Sequence, residues 1–484
     1  MKLEKVLEGI EVLSGVYDNV DVAGITIDSR NVQSGYMFIC FSGTKFDGHN
    51  YIKDAVANGA TTIIVQKDVE KIEGVQFIKI PEGREYIAKI ACNFYENPSK
   101  RFKLIGITGT KGKTTTTYMV KSILEAHGLK VGLIGTIENV IGTKKLSTSH
   151  NTTPDAVELQ QYFRIMADEG ADVVVIEVSS HALELDRVLY SDFDIGVFTN
   201  LSQDHLDYHK NFENYFNAKK KLFLQTRLGI INIDSEYGRR VCEETNCTQK
   251  TYGIDNEADL IAENINIHPR NVTFTVKCDG KSHDMMLKIP GKFSVYNALS
   301  AISIAREFGC AFEEIQEGFD NLIVPGRSEL VDIGREFTVM VDYAHSPESL
   351  KSILVATKEY AKERIICVFG CGGDRDRTKR PIMGKISGEL ADFSIITSDN
   401  PRSEDPHEII KEIEIGIKET GKEYITIEDR AEAIAYALKT AKKDDIIIIA
   451  GKGHEPYQVL KDKTIHFDDR EQVKIQNEKI LMNK

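Results

Sequence analysis

None of the 8 cysteines in this sequence belongs to a Cys-x-x-Cys pair, which argues against a zinc ribbon or a disulfide framework. No lysine- or arginine-rich tract is present and the formal net charge is −13, so binding to nucleic acid through its phosphates is not expected. Local arginines remain compatible with a small anionic substrate. The aliphatic run Ile446–Ile449 is far too short to cross a bilayer. The opening Met-Lys-Leu-Glu-Lys-Val-Leu-Glu-Gly-Ile carries acidic residues and no unbroken apolar run, so neither a signal peptide nor membrane insertion is expected. Repeats at solenoid spacing and low-complexity segments are also missing. What remains is an ordinary globular composition, 41% apolar and 28% charged. A cytoplasmic protein is the expectation. At 484 residues the chain is too long for one core, and about 150 residues per domain implies three.

One more absence sits in the most informative stretch. Residues 104–117, Leu-Ile-Gly-Ile-Thr-Gly-Thr-Lys-Gly-Lys-Thr-Thr-Thr-Thr, run from an apolar strand through a glycine turn into a helix. The usual phosphate-loop pattern wants a glycine where Ile107 stands, leaving the shorter loop Gly109-Thr110-Lys111-Gly112-Lys113-Thr114, followed by Thr115. Backbone N–H groups of such a loop, with the helix N-terminus, cradle an anion. Lys113 then reaches β/γ-phosphates and Thr114 offers a hydroxyl to Mg²⁺. Nucleotide binding is the prediction.

Three α/β segments are expected. Residues 1–98 form a small domain, with strands at Gly24–Asp28, Tyr36–Phe41 and Thr61–Gln66 and helices near Tyr51–Asn58 and Arg84–Tyr95. Residues 99–326 form a mostly parallel, phosphate-loop ATPase-like domain, with strands Ala171–Val178 and Asp194–Asn200, a helix Asn211–Leu224, short β pieces over Ile261–Pro290 and a helix Ser294–Phe308. Residues 327–484 form a Rossmann-like, doubly wound domain on strands Thr338–Tyr343, Arg364–Phe369, Phe393–Ser398 and Asp445–Ala450. Polar clusters follow each of these four strands, at 342–345, 370–377, 399–402 and 451–455, where open α/β sheets place ligands.

Several residues point to chemistry. Glu177, ending an apolar strand, reads either as a Mg²⁺ ligand or as a solvated cap. The segment 199–209 packs His205, His209, Asp204 and Asp207 together, favouring a metal or phosphate role. Lys219 stands in a run of three lysines, which by chemistry alone is a wet helix face. Asp399-Asn400-Pro401-Arg402 leaves its strand through a proline-fixed turn, and Arg402 either forks a carboxylate or belongs to a capping turn. Arg375 sits on the glycine turn Gly-Cys-Gly-Gly-Asp-Arg-Asp.

Together these segments resemble the Mur ligase family, ATP-dependent amide ligases of bacterial cell-wall synthesis. The match runs in order through 109–115, Glu-Val-Ser-Ser-His-Ala (177–182), Asn-Leu-Ser-Gln-Asp-His-Leu-Asp-Tyr-His (200–209), Tyr-Asn-Ala (296–298), Pro-Gly-Arg (325–327) and Val-Asp-Tyr-Ala-His (341–345). Asp399–Arg402 resembles the signature of the branch that adds meso-2,6-diaminopimelate to UDP-N-acetylmuramoyl-L-alanyl-D-glutamate through an acyl phosphate. The resemblance implies that the first domain holds the UDP-sugar, the second ATP, and that the third closes over both with the amino acid. It assigns ATP to Gly109–Thr115, Asn297, Arg327, Asp342 and His345, and the muramoyl-peptide to Ser29, Thr44, Lys45, Phe46, Asn151, Thr152, Thr153, Ser179 and Arg187. Leu185 stands where some relatives carry a glutamine that contacts this substrate. Diaminopimelate falls to Arg375, Asp399, Asn400, Pro401, Arg402, Gly451 and Glu455. Two Mg²⁺ sites would use Thr114, Glu177, His205 and Lys219, the last as a CO₂-derived carbamate, and Lys113, Lys219 and His205 are the implied catalytic residues. A monomer with small-molecule substrates is expected. Alternatives are a lysine-adding relative, a folylpolyglutamate synthetase, or a phosphate-loop ATPase switch.

Overall fold

The computed structural model describes residues 1–15, 17–43, 46–148 and 151–482. Packing divides the chain into two units, Met1–Asp259 with Ser300–Ala311, and Leu260–Leu299 with Phe312–Lys484.

The first unit holds two sheets. At its N-terminal end, strands Gly24–Thr26, Tyr36–Ile39, Ala60–Val65 and Gln76–Lys79 pair in that order, all parallel. Both faces are apolar. Ile25, Met37 and Ile39 pack with Ile87, Ile90 and Ala91 of helix Glu85–Phe94 on one side, and Phe38, Cys40 and Ile63 with Ile52 and Ala55 of helix Ile52–Ala57 on the other. The fourth strand was not foreseen from the sequence, because its two buried residues, Phe77 and Ile78, are too few to set a period. The chain leaves this domain through Asn97 at φ 48°, a left-handed position that asparagine tolerates, with Pro98 opening a 3₁₀ turn.

The second sheet carries the phosphate loop. Its strands lie in the order Thr248–Gly253, Thr226–Asn232, Phe193–Phe198, Lys103–Thr108, Val173–Glu177 and Val131–Ile134, all parallel, followed by the antiparallel Glu138–Ile141 and Lys144–Thr148. Lys103–Thr108 is therefore flanked on both edges, with Ile107 opposite Glu177 and Thr108 opposite Phe198. That register brings the loop after Thr108 between Glu177 and the Thr199–Asn200 exit. The expected helix Asn211–Leu224 is shorter than predicted: Phe212–Lys220 is α-helical and Lys221–Leu224 tightens to 3₁₀.

In the second unit, Leu260–His268, Asn271–Cys278 and Lys281–Leu287 form an antiparallel meander. Its larger sheet runs Glu329–Leu330, Thr338–Asp342, Ile446–Ala450, Ile365–Phe369, Phe393–Ile396, Tyr424–Thr426, parallel except for the first strand. The isoleucine run shows why no polar alternation marks these strands. Ile446 and Ile448 face a core with helices Pro347–Lys358, Lys379–Leu390 and Pro406–Lys418, while Ile447 and Ile449 face Arg430–Thr440 and Asp469–Met482. The last helix escaped prediction because its buried face is thin and partly polar: Val473, Asn477 and Ile480.

Helices Lys379–Leu390 and Pro406–Lys418 meet backbone to backbone. A Cβ on Gly416 would lie 1.8 Å from the Pro381 carbonyl oxygen, and one on Gly384 2.1 Å from that of Ile413. Gly416→Ala is expected to destabilise this unit by about 1–3 kcal/mol through overpacking. Thermal unfolding followed by circular dichroism checks this, and a melting temperature equal to wild type contradicts it.

Candidate active site

The phosphate loop is held open by its neighbours. Gly109 and Gly112 stand at φ 148° and 89°. A Cβ on Gly109 would lie 1.9 Å from Thr199 Oγ1, so both conformation and space demand glycine there. Thr110 N–H donates to the Asn200 carbonyl (2.9 Å), and the Asn200 side chain clasps Lys111, accepting from its N–H (3.0 Å) and donating to its carbonyl (3.1 Å). Thr199 Oγ1 donates to the same carbonyl at 2.7 Å. Lys113, opening helix Lys113–Ala126, folds back to donate to the carbonyls of Gly109 (2.8 Å) and Thr110 (3.0 Å).

Glu177 is 1% exposed and fully engaged. Its carboxylate accepts from Thr114 Oγ1 (2.9 Å), Thr136 N–H (2.8 Å) and Thr136 Oγ1 (3.0 Å). The solvated-cap alternative does not hold. A buried carboxylate beside a loop hydroxyl is a set of hard oxygen donors suited to Mg²⁺.

Burial also separates Lys219 from the lysines beside it. Lys220 and Lys221 pair with Glu244 and Glu184, whereas Lys219 is 1% exposed. Its Nζ donates to the Gly109 carbonyl at 2.9 Å and lies 4.6 Å from the centre of the Tyr215 ring, whose hydroxyl bonds Thr110 Oγ1 (3.1 Å). Burial, and then the charge of Lys113, push its pKa well below the ordinary lysine range. His205, at φ 52°, sits edge-on to His181, ring centres 5.0 Å apart. His209 bonds Ser180 Oγ (2.9 Å) and lies 5.0 Å from Tyr215, ring to ring. Desolvation, then His205 and His209, pull His181 down to about 4, so this cluster is neutral at neutral pH.

Beside it, Thr153 Oγ1 donates to the Glu177 carbonyl (2.8 Å) and accepts from Ser179 N–H (3.0 Å). Arg187 donates to the Thr153 carbonyl (3.0 Å) and pairs with Asp155 (3.0 Å). Thr152 bonds Thr136 through their hydroxyls (3.1 Å), and Asn151 is exposed next to it. Ser29 lies on the turn after strand Gly24–Thr26, and Phe46 is 71% exposed. Thr44 and Lys45 fall outside the described residues.

In the second unit the four polar clusters follow adjacent parallel strands at their carboxyl ends. Asp342 accepts from Ser328 N–H (2.8 Å), Arg327 lies 5.0 Å from the centre of the Tyr343 ring, and His345 Nδ1 bonds the Tyr343 carbonyl (2.8 Å). Asn297 is buried on helix Lys292–Glu307. Around Asp399–Arg402 the bonds are dense. Asn400 donates to Glu455 (2.9 Å) and accepts from Val459 N–H (2.9 Å) and Lys452 Nζ (3.1 Å). Gln458 donates to the Asp399 carbonyl (2.7 Å). A Cβ on Gly451 would lie 2.6 Å from Asp399 Oδ2. Arg402, at φ 51°, is half-buried; its guanidinium donates to the carbonyls of Gly373 (2.8 Å) and Asn400 (3.4 Å). Among the described residues no carboxylate pairs with it. Arg375 is exposed and donates to the Asp374 carbonyl (3.1 Å).

Comparison with known proteins accounts for this arrangement. Family models match in order along the chain: "Mur ligase family, catalytic domain" over residues 21–95, "Mur ligase middle domain" over 107–305, and "Mur ligase, glutamate ligase domain" over 326–453. The chain belongs to the Mur ligase family. A UDP-N-acetylmuramoyl-L-alanyl-D-glutamate–2,6-diaminopimelate ligase of Caldanaerobacter subterraneus subsp. tengcongensis is 49% identical, with 98% of each chain covered. One from Clostridium acetobutylicum is also 49% identical, covering 97% of this chain and 98% of its own. A solved ligase of the same name superposes with TM-score 0.73 at 30% identity over 99% of both chains. The MurF ligase of Thermotoga maritima, solved with ADP, shares the fold at TM-score 0.61 and 17% identity.

Two residues of this candidate site escaped sequence reasoning. Thr136 supplies two of the three donors to Glu177, and only its place after strand Val131–Ile134 hinted at this. Lys452 is fully buried between Asn400 and Glu455; a lysine among glycines reads as exposed until the strand ends are seen side by side. For the loop, Gly109→Ala is expected to weaken ADP binding at least tenfold, or about 1.4 kcal/mol. Titration calorimetry measures this, and a dissociation constant within twofold of wild type refutes the role given to Gly109.

Proposed function

We propose that the chain joins meso-2,6-diaminopimelate to the γ-carboxyl of UDP-N-acetylmuramoyl-L-alanyl-D-glutamate at the expense of ATP, the third-residue step of peptidoglycan precursor synthesis. It is an ATP-dependent amide ligase, and its full-length relatives are named UDP-N-acetylmuramoyl-L-alanyl-D-glutamate–2,6-diaminopimelate ligases. The observation that carries the choice of amino acid is Arg402, a half-buried guanidinium anchored by carbonyls and left without a carboxylate among the described residues. Diaminopimelate differs from lysine by one distal carboxylate, to which this guanidinium donates. Asp399 and Glu455 take the distal ammonium, and Arg375 supports the carboxylate from the exposed rim.

In the reading proposed here, the loop amides of Gly109–Thr115 and Lys113 hold the phosphates of ATP. Asn297, Arg327, Asp342 and His345 bind the rest of the nucleotide, and Ser29, Thr44–Phe46, Asn151–Thr153, Ser179 and Arg187 hold the acceptor. The γ-carboxylate attacks the γ-phosphorus and ADP leaves. The amine of diaminopimelate then attacks the acyl phosphate, and the tetrahedral adduct expels phosphate and a proton. Lys113 offsets charge that develops during transfer. Thr114 and Glu177, hydrogen-bonded at 2.9 Å, offer hard oxygens to Mg²⁺, and His205 and a Lys219 carbamate would complete the two sites; bound there, the metals would supply charge neutralisation at the phosphates. Lys219 fits a carbamate, because only a neutral amine takes up CO₂ and its burial favours that form. Domain limits of 1–98, 99–326 and 327–484, a cytoplasmic location and a monomeric state complete this reading. No helix among the described residues is long and apolar enough to cross a membrane.

ADP release with the UDP-muramoyl-dipeptide tests the assignment: turnover is expected with meso-diaminopimelate and little with L-lysine, and equal rates would overturn it. Arg402→Lys is expected to raise the KM for diaminopimelate at least tenfold, about 1.4 kcal/mol, with the KM for ATP unchanged. An unaltered amino-acid KM and kcat in that variant rejects the role of Arg402. Lys219→Ala is expected to lose nearly all activity and to recover part of it with added short carboxylates. Full activity without them excludes the carbamate.

A further inference from the structure

Arg84 is a cation close to the acceptor residues that the reaction outlined above leaves without a task. It directly precedes helix Glu85–Phe94, half-buried, with its guanidinium carbon 4.4 Å from the centre of the Phe41 ring. It lines a narrow cleft walled by Ile27, Phe41, Ile87 and Leu185 and shared with Asp155 and Arg187. Asp155 is already ion-paired with Arg187 at 3.0 Å. Among the described residues the Arg84 guanidinium makes no hydrogen bond, so its five N–H donors are stacked on an aromatic face and unmatched. Desolvation, the largest influence on it, pulls its pKa below the ordinary arginine range. The cleft lining itself holds two guanidinium groups and one carboxylate, Asp155, with the charge of Asp186 also reaching Arg84.

A half-buried guanidinium without a hydrogen-bond partner is costly, and an anion lying against its open edge, at the mouth of the cleft, removes that cost. The position of the cleft says which anion. Ile27 stands two residues before Ser29, and Phe41 three before Thr44, on the segments proposed to carry the UDP-sugar. From the same cleft Arg187 reaches the Thr153 carbonyl, among the residues proposed to hold the peptide. Leu185, in the same cleft, offers no polar group. We propose that Arg84 binds an anionic oxygen of the UDP-muramoyl-peptide acceptor, belonging to its diphosphate or to the non-reacting α-carboxylate of its D-glutamate. This rests on the acceptor assigned above. Stacking on Phe41 holds the guanidinium plane, and its edge presents paired donors to a phosphate or carboxylate.

Steady-state kinetics of Arg84→Met and Arg84→Lys test this in the full chain. Arg84→Met is expected to raise the KM for the acceptor at least tenfold, with the KM values for ATP and diaminopimelate within twofold of wild type. Arg84→Lys restores the charge without the fork and is expected to recover part of the loss. A merely structural Arg84 would lower the melting temperature and leave the acceptor KM within twofold, and that result overturns the proposal. If Arg84→Met does not fold, Arg84→Lys decides alone: an acceptor KM raised more than twofold upholds the contact, and an unchanged one rejects it. Repeating the comparison with muramoyl-L-alanyl-D-glutamate lacking the UDP group separates the two sources. A penalty that persists assigns the carboxylate, and one that vanishes assigns the diphosphate. Wild-type protein that releases no ADP with the UDP-linked acceptor instead rejects the functional reading itself.

Discussion

The carboxylate of Glu177, buried and tied by three hydrogen bonds, is the contact on which the first unit's site depends. It joins two strand ends and a helix. Glu177 closes its own strand, Thr136 follows the neighbouring strand Val131–Ile134, and Thr114 begins the helix after the phosphate loop. A carboxylate so far from water is tolerable only with such donors. Removing one would leave a buried acceptor unmatched at a cost of about 1–3 kcal/mol. The same bonds fix a hydroxyl and a carboxylate side by side, as a hard cation requires. Structural and chemical demands coincide at one side chain.

Lys113 and Lys219 answer a related problem differently. Both ammonium nitrogens reach the Gly109 carbonyl, at 2.8 and 2.9 Å, so two like charges converge on one acceptor. Lys113 is partly exposed. Lys219 is buried, and both desolvation and Lys113 favour its neutral form. In the reading proposed above, Lys113 serves the phosphates as a cation and Lys219 is the amine that takes up CO₂. No charge has to be paired inside the core to achieve this.

The sequence made much of this legible, for identifiable reasons. Gly109, Lys113 and Thr114 stand in a local motif, and the strand and helix around them carry strong apolar patterns. The four polar clusters of the second unit could be placed together because parallel strands all end on one side. What stayed hidden was non-local or weakly patterned. Lys219 looked no different from Lys220 and Lys221 until burial separated them. Thr136 and Lys452 gain their roles from neighbours 41 and 52 residues away. Short edge strands such as Gln76–Lys79 and Tyr424–Thr426 bury too little to leave a period.

In the proposed reading, selectivity for a dicarboxylic amino acid follows from how Arg402 is held rather than from its charge alone. Its backbone is pinned at φ 51°, its N–H donates to the Val459 carbonyl (3.0 Å), and one guanidinium nitrogen is occupied by the Gly373 carbonyl. A Cβ on Gly372 would lie 2.8 Å from that nitrogen, so the turn is built around the side chain. Carbonyls orient the guanidinium without cancelling its charge. With lysine in place of diaminopimelate, the remaining donors would stay half-buried and unmatched. Sites that reject an analogue in this way discriminate by about 10⁴–10⁵, against about 10–200 for a missing methylene in an apolar pocket. The neighbouring bonds of Lys452 to Asn400 and Glu455 add to this, since they fix two polar groups of the same pocket from behind. A pocket whose charges are oriented before the ligand arrives loses little to reorganisation, and what it gains on binding is left to tell one amino acid from another.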